Sequence, residues 1–283
     1  GEAMVSDNFF APRSIAIIGA SPESEKGSAR VLGSLLKHGY QGKIFPVNPK
    51  YNEIAGLKCY PDLATITDDI DLVYITIPAQ FVFQILRECA TKKIAHVIIR
   101  SSGFAETGEV GKVKQKEIED FARKSNIRIL GTNSIGYVNV YGGTVLFSHI
   151  SLDTETIIKG HIGLISQSGG MCGALFNLAQ DRGIGFSYLV STGTESDLNT
   201  IDFIEYMIRD ENTKVITAFI ESLKDGRRFL SVADLAIQNG KPLVVMKIGK
   251  TESGKRTAAS HTGALSGKDQ IYDAVFKQKG VIR

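Results

Sequence analysis

A chain of 283 residues, 43% hydrophobic and 22% charged, is long enough for two domains with full cores and too apolar to be disordered. Its net charge of +3, without blocks of like charge, leaves no footprint for nucleic acid but suits an anionic small molecule. No apolar run approaches the roughly 18 residues of a membrane helix, so no membrane partner is expected. Cys59, Cys89 and Cys172 lie in hydrophobic stretches without metal-ligand spacing. With no secretory signal, they suit a reducing cytoplasm, and no metal site is expected. Gly1-Glu2-Ala3 before Met4 reads as a remnant of cloning.

Residues 5–140 alternate apolar runs with amphipathic helical patterns, which predicts a parallel α/β sheet. Strands are expected at Ser14–Gly19, Ile44–Asn48, Leu72–Pro78, His96–Ser102 and Ile127–Gly131. Pro46 places the second near an edge or a bend. Leu32, Leu35 and Leu36 mark one helix face, and Val82, Ile85, Leu86 and Cys89 another. A further helix is expected over Glu109–Ser125. Residues 141–160, with Gly142-Gly143 and no long periodicity, read as a linker holding one extended segment, Thr144–Phe147. His149 and His161 flank it as surface or turn residues.

Residues 161–283 repeat the alternation. Strands are expected at His161–Ser166, Phe186–Ser191, Val215–Glu221 and Leu243–Lys247. Met171, Ala174, Leu175, Leu178 and Ala179 form one helical stripe. Ile201, Ile204, Met207 and Ile208 form a second, and Phe229, Val232, Ala233, Ala236 and Ile237 a third.

In open parallel sheets, ligands bind beyond the C-terminal strand ends. In the first unit those ends carry Gly19–Pro22, Asn48-Pro49-Lys50, Pro78-Ala79, Gly103 and Asn133. Gly19-Ala20-Ser21 lacks a second glycine two residues on, so it is not the full dinucleotide fingerprint, and a plain tight turn is the alternative. Lys26 and Lys50 are either solvated charges or phosphate contacts. In the second unit, Ser166-Gln167-Ser168-Gly169-Gly170 joins a strand end to a helix start, where unpaired N–H groups attract a phosphate. The competing reading is a serine-capped helix with glycines for close packing. Ser260–Gly267 places His261 among small residues, so its imidazole can approach one site and leave for another. Together the two features suggest a phosphorylated histidine. Glu221 closes a strand on the same edge. It is either a solvated acid or the group that fixes the imidazole tautomer, leaving the other nitrogen nucleophilic.

These motifs, in order, carry a resemblance. Ser14–Ser21, Val47-Asn48-Pro49-Lys50, Gly103-Phe104-Ala105-Glu106, Gly131–Gly136, Ser166–Gly170, Ile220-Glu221 through Phe229, and Ser260–Gly267 cover nearly the whole chain. The chain resembles the NDP-forming acyl-CoA synthetases, which include ADP-forming acetate–CoA ligase and the α subunit of succinyl-CoA synthetase. The resemblance implies an α/β fold: a Rossmann-like CoA-binding domain (5–140), a linker (141–160) and a flavodoxin-like ligase domain (161–283). It implies that Ser21, Lys26, Asn48, Lys50, Pro78, Ala79, Gly103 and Asn133 line the CoA site. Ser168, Gly169 and Gly170 would hold phosphate, His261 would be the phosphohistidine, and Glu221 its partner.

Two departures stand out. The family's Gly-Pro-Asn is Gly131-Thr132-Asn133 here, and its frequent Gly-Asn-Glu is Gly193-Thr194-Glu195. The implied reaction interconverts acyl-CoA, phosphate and NDP with a carboxylic acid, CoA and NTP. The chain ends where family members continue, so the Mg-nucleotide is expected on an ATP-grasp domain or β subunit outside it, within an oligomer. One rival is the acyl-CoA-sensing portion of a protein acetyltransferase, though relatives of that kind often lose the histidine. A second rival, a dinucleotide module, lacks both its glycine fingerprint and an acid closing Ile44–Asn48.

Overall fold

The structure, a computed structural model, describes residues 5–23, 26–248 and 269–283. The first sheet holds β1 (Ser14–Ile18), β2 (Lys43–Val47), β5 (Leu72–Ile75), β6 (His96–Ile99) and β7 (Arg128–Gly131). A two-stranded hairpin, β3 (Glu53–Ile54) and β4 (Leu57–Lys58), stands apart from it. The five strands run in the order β2-β1-β5-β6-β7, all parallel. Helices on both faces bury such strands on both sides, so β1 and β5 are buried at every position and, Ser14 at the start of β1 apart, carry hydrophobic residues. Pro46 sits in the edge strand β2, as its missing N–H requires.

The second sheet holds β10 (Lys159–Ser166), β11 (Phe186–Ser191), β12 (Val215–Ile220) and β13 (Leu243–Lys247), parallel in the order β13-β12-β10-β11. Beyond β11 it continues into an antiparallel hairpin, β8 (Gly136–Asn139) and β9 (Thr144–Phe147). The fold is therefore a Rossmann-like parallel-sheet domain followed by a flavodoxin-like one. The hairpin is drawn from residues expected to end the first unit and begin a linker. Its strands are buried at every position and turn through Gly142-Gly143, and four-residue strands leave no long periodicity to read.

Several strands stop short of their apolar runs. β5 ends at Ile75 and β6 at Ile99, because the next residues leave the sheet as loops that bond one another. Ser101 Oγ donates to Ile77 O at 2.5 Å, and Thr76 Oγ1 to Ile18 O at 3.0 Å. In α2 (Gly27–Lys37) the buried face is Val31, Leu32 and Leu35, whereas Leu36 is 44% exposed.

α3 (Ala79–Thr91) and α4 (Glu109–Ser125) pack on the other side of the first sheet. α5 (Gly169–Gln180) is apolar on two faces. It buries Cys172, Gly173 and Phe176, while none of the expected stripe of Met171, Ala174, Leu175, Leu178 and Ala179 is fully buried; the last three lie along an open groove, with Leu178 51% exposed.

One apolar core runs through both units. It extends from the α2 face of the first sheet, through Tyr137 and Leu146 of the hairpin, to α6 (Thr200–Arg209) and α7 (Gly226–Gln238). A four-residue helix, α1 (Asp7–Phe10), is too short to stand alone and is held by this core. Phe9 and Phe10 are fully buried against Tyr137, Tyr188, Phe203 and Tyr206. Each such ring contributes about 1.5–3 kcal/mol. Tyr137 Oη and Tyr206 Oη donate to Phe9 O (2.7 Å) and Asp7 Oδ1 (3.1 Å). The segment after β11 also covers the free edge of β7, where Leu198 N bonds Ile129 O and Ser196 N bonds Gly131 O.

Candidate active site at the strand ends

The C-terminal edge of the first sheet opens into a cleft of about 560 Å³. Gly19 ends β1 with φ +81°, and a Cβ there would stand 2.8 Å from the Ile77 side chain, so only glycine lets the two strand ends meet. Asn48, Lys50 and Pro78 line the cleft, as expected of strand-end residues. Asn48 acts on the chain itself: Nδ2 donates to Ala20 O at 2.7 Å, and Oδ1 accepts from Lys50 N at 3.0 Å. It fixes the first loop and aims the Pro49-Lys50 turn, leaving Lys50 exposed at the rim.

Ser21, Lys26, Ala79, Gly103 and Asn133 lie on the same edge but are not among the cleft walls. Ser21 is buried, and its Oγ accepts from Glu23 N at 3.2 Å. Lys26 is exposed and ion-paired to Glu23 at 2.7 Å. Gly103 packs against Ala79, and its N–H donates to Glu106 Oε1 at 2.6 Å.

Two further residues stand here. Phe81, 49% exposed in the first turn of α3, lines the cleft. Its signal in the sequence was a large aromatic lying off the buried stripe. Arg100 follows β6, and its guanidinium lies against Gly27, where a Cβ would come within 2.4 Å of Nε. Its Nε donates to Ser148 Oγ at 2.9 Å. It falls inside the expected strand His96–Ser102, which ends at Ile99. An apolar cleft with a cation at its rim fits a nucleotide-bearing thiol such as CoA.

The corresponding edge of the second sheet is buried and bonded to itself. Ser168 caps α5, accepting from Met171 N at 3.3 Å. Gly169 lies against Ile135, where a Cβ would be 3.1 Å from the side chain. Gly170 faces open space. The capping and packing reading is thus realised by Ser168 and Gly169, while Gly170 leaves room at the helix start. Among the described residues the N–H groups of Gly169 and Gly170 have no hydrogen-bond partner, as the first turn of a helix leaves them. Glu221 follows β12 and is 3% exposed. After β11, Glu195 Oε1 accepts from Thr192 Oγ1, Thr200 N and Thr200 Oγ1 at 3.0, 2.9 and 2.6 Å.

The two edges meet. β7 leads from the first sheet into Thr132–Ile135, which the second sheet clasps. Ser134 Oγ donates to Ser191 O at 2.6 Å, and Thr194 N to Thr132 O at 2.9 Å. A Cβ on Gly193 would stand 2.1 Å from Thr132 O, which fixes that residue as glycine. Ile135 reaches the first residue of α5, and Asn133 is exposed at the junction.

His261 lies outside the described residues. His149 Nδ1 accepts from Ser151 N at 3.1 Å and closes a turn, whereas His161, exposed in β10, stands with Nδ1 2.8 Å from Asn212 O and ties that strand to the loop after α6. Burial pushes the Cys89 and Cys172 thiols up to about 12, which leaves them inert. Among the described residues no group of His, Cys, Asp and Glu could hold a metal ion, and no helix is long and apolar enough to cross a membrane.

Residues 13–139 match the CoA binding domain family, and residues 159–283 the succinyl-CoA ligase like flavodoxin domain. The chain is 40% identical over 284 residues to the acetate–CoA ligase [ADP-forming] I subunit alpha of Pyrococcus furiosus, covering 99% of itself and 60% of that relative. It is 41% identical to the acetate–CoA ligase [ADP-forming] of Methanocaldococcus jannaschii, covering 96% of itself and 37% of that protein. A solved structure of the Ca. Korarchaeum cryptofilum dinucleotide forming acetyl-coenzyme A synthetase 1, in complex with phosphate and ADP, superposes with a TM-score of 0.90 at 33% identity. That match covers 99% of this chain and 59% of that one.

By these two domains the chain belongs to the NDP-forming acyl-CoA synthetase family.

Within the NDP-forming acyl-CoA synthetase pattern, the two departures at Thr132 and Thr194 prove to be one. Both side chains are buried, and their hydroxyls bond each other at 2.8 Å. They replace the family's proline and asparagine with a pair that ties the sheets together. Sequence separation hid that contact.

Proposed function

We propose that this chain is the CoA-binding and phosphoryl-transfer portion of an NDP-forming acyl-CoA synthetase. It interconverts acyl-CoA, phosphate and NDP with carboxylic acid, CoA and NTP. The observation that carries the reading is the junction at Thr132–Ile135: the cleft that fits CoA and the helix start that fits a phosphoryl group share one continuous edge.

In this mechanism Lys50 contacts a CoA phosphate, and Asn48 holds the loop that presents it. Ser21, Lys26, Pro78, Ala79, Gly103 and Asn133 complete the CoA side. A phosphate oxygen attacks the thioester carbon, the C–S bond breaks, and CoA leaves as the thiol. The His261 ring nitrogen then attacks the phosphorus of the acyl phosphate. The P–O bond to the acyl group breaks and the carboxylate leaves. Glu221 holds the proton on the other ring nitrogen. The start of α5 at Ser168, Gly169 and Gly170 stabilises the phosphoryl charge, an effect of about 3 kcal/mol per donor in comparable sites. The phosphoryl group passes from His261 to an NDP held by an ATP-grasp domain or β subunit, which also supplies the Mg-nucleotide site. We place the assembly, an oligomer, in the cytoplasm.

The test omits nucleotide altogether. The chain is mixed with [32P]phosphate and, in turn, acetyl-, 4-hydroxybutyryl- and feruloyl-CoA, the last two suggested by relatives that ligate those acids. The reading expects an acid-labile label with at least one thioester, absent from His261→Ala. CoA binding without any label would instead favour a sensing module.

A further inference from the structure

We propose that Gln167 is a positioning residue for phosphoryl transfer: its carboxamide holds the Glu221 peptide in register with the start of α5. The inference rests on the function proposed above and adds a residue which that mechanism does not use.

Gln167 stands between the last residue of β10 and the cap of α5, and it is only 6% exposed. The ladder between β10 and β12 ends at the Ser166–Phe219 pair. Beyond it the Gln167 side chain takes over from the main chain. Its Oε1 accepts from Glu221 N at 2.6 Å and Ser222 N at 3.0 Å, and its Nε2 donates to Ser222 O at 2.7 Å. Its own N–H donates to Phe219 O at 3.1 Å.

A carboxamide of this length is the one side chain that offers both an acceptor and a donor at peptide spacing. Asparagine is a methylene shorter, glutamate lacks the donor, and lysine and arginine lack the acceptor. Closing a turn needs none of this. What the arrangement adds is a rigid link between the helix start that receives the phosphoryl group and the acid that orients its acceptor. Misplacement of such groups by about 1 Å costs on the order of 100-fold in rate.

Gln167→Met keeps the volume and deletes all three bonds. Gln167→Glu keeps the two accepted bonds, loses the donated one and sets a second carboxylate beside Glu221. In the full-length enzyme we would measure the CoA dissociation constant by calorimetry. The single-turnover rate of labelling from the thioester identified above and [32P]phosphate would be followed across pH 5.5–9. The methionine variant should label roughly 10- to 100-fold more slowly with unchanged CoA affinity. The glutamate variant should recover part of that rate, and its acid limb should move to higher pH, because a like charge disfavours ionised Glu221.

A methionine variant with the wild-type rate and pH profile would overturn the proposal, as would parallel losses of rate and CoA affinity. Should the methionine variant fail to fold, the glutamate variant decides: an unmoved acid limb sinks the idea. A wild-type enzyme that takes no label contradicts the mechanism itself, which separates the two failures.

Discussion

The two strand-end edges are built in opposite ways. On the first sheet the side chains facing the cleft are open: Lys50 is exposed at the rim, and Phe81 presents half its ring to solvent. The polar groups behind them serve the shape of the loops, as Asn48 does. On the second sheet Gln167, Ser191, Glu195 and Glu221 are all buried, and bonds close around them: Glu221 N to Gln167, Ser134 to Ser191 O, and Thr192 and Thr200 to Glu195. An open apolar cleft with a cationic rim captures a ligand and lets it go. A buried polar frame holds dipoles fixed while charge moves, which is what group transfer demands. Under the proposed function, binding and chemistry are divided between the sheets, and Thr132–Ile135 bridges them.

The largest effect that would break this contrast is on chemistry alone. Glu221→Gln should slow phosphoryl labelling by roughly 100- to 10,000-fold, by analogy with a triad acid that loses its charge, with CoA affinity unchanged. Equal losses of both would merge the two edges into one site. Next, Gly193→Ala attacks the bridge. The added Cβ meets Thr132 O in a backbone with φ +62°, so unfolding in denaturant should show a loss of about 3 kcal/mol or more. Lys50→Ala and Phe81→Ala should each weaken CoA binding about tenfold by calorimetry, while labelling at saturating thioester stays at the wild-type rate. A double-mutant cycle of Thr132→Val and Thr194→Val should give a coupling of about 1 kcal/mol.

The smallest effect sharpens the contrast through pH. The Arg13 guanidinium, bonded to Asp71, holds its carboxyl below the usual range, so that carboxylate stabilises the fold above about pH 4 and the contribution is lost on acidification. Burial raises Asp197, with Arg128 only partly opposing it, so its contribution is largest below about pH 4 and declines as pH rises. Asp71→Asn should therefore become more destabilising with rising pH and Asp197→Asn less so. Both changes should stay within about 1 kcal/mol in urea unfolding at pH 3.5 and 7. Parallel slopes would mean that the two acids share one environment.

The alternation of apolar runs and helical stripes made the parallel strands legible, because strands buried on both faces carry unbroken Val, Ile and Leu. Of the hairpin at 136–147, Thr144–Phe147 was legible as an extended segment, whereas its partner Gly136–Asn139 was not, since four residues opening on a glycine give neither an apolar run nor a long period. The α5 stripe was read correctly as apolar and placed on the wrong face, since periodicity cannot say which of two apolar faces meets the sheet. Of the cleft, the residues at strand ends were legible from topology, as Asn48, Lys50 and Pro78, which line it, illustrate. Gln167 was not, because its partners stand 54 residues away, and nothing local in a glutamine marks it as a surrogate for a strand. Thr132 and Thr194 could be read only as separate departures until their contact was seen.

The most direct measurement is a crystal structure of the chain with CoA bound. The nucleotide end should lie in the cleft beside Lys50 and Phe81, with the thiol carried along the shared edge to Thr132–Ile135 and the start of α5. A thiol directed into solvent away from that junction, or CoA bound on another face, would contradict that placement.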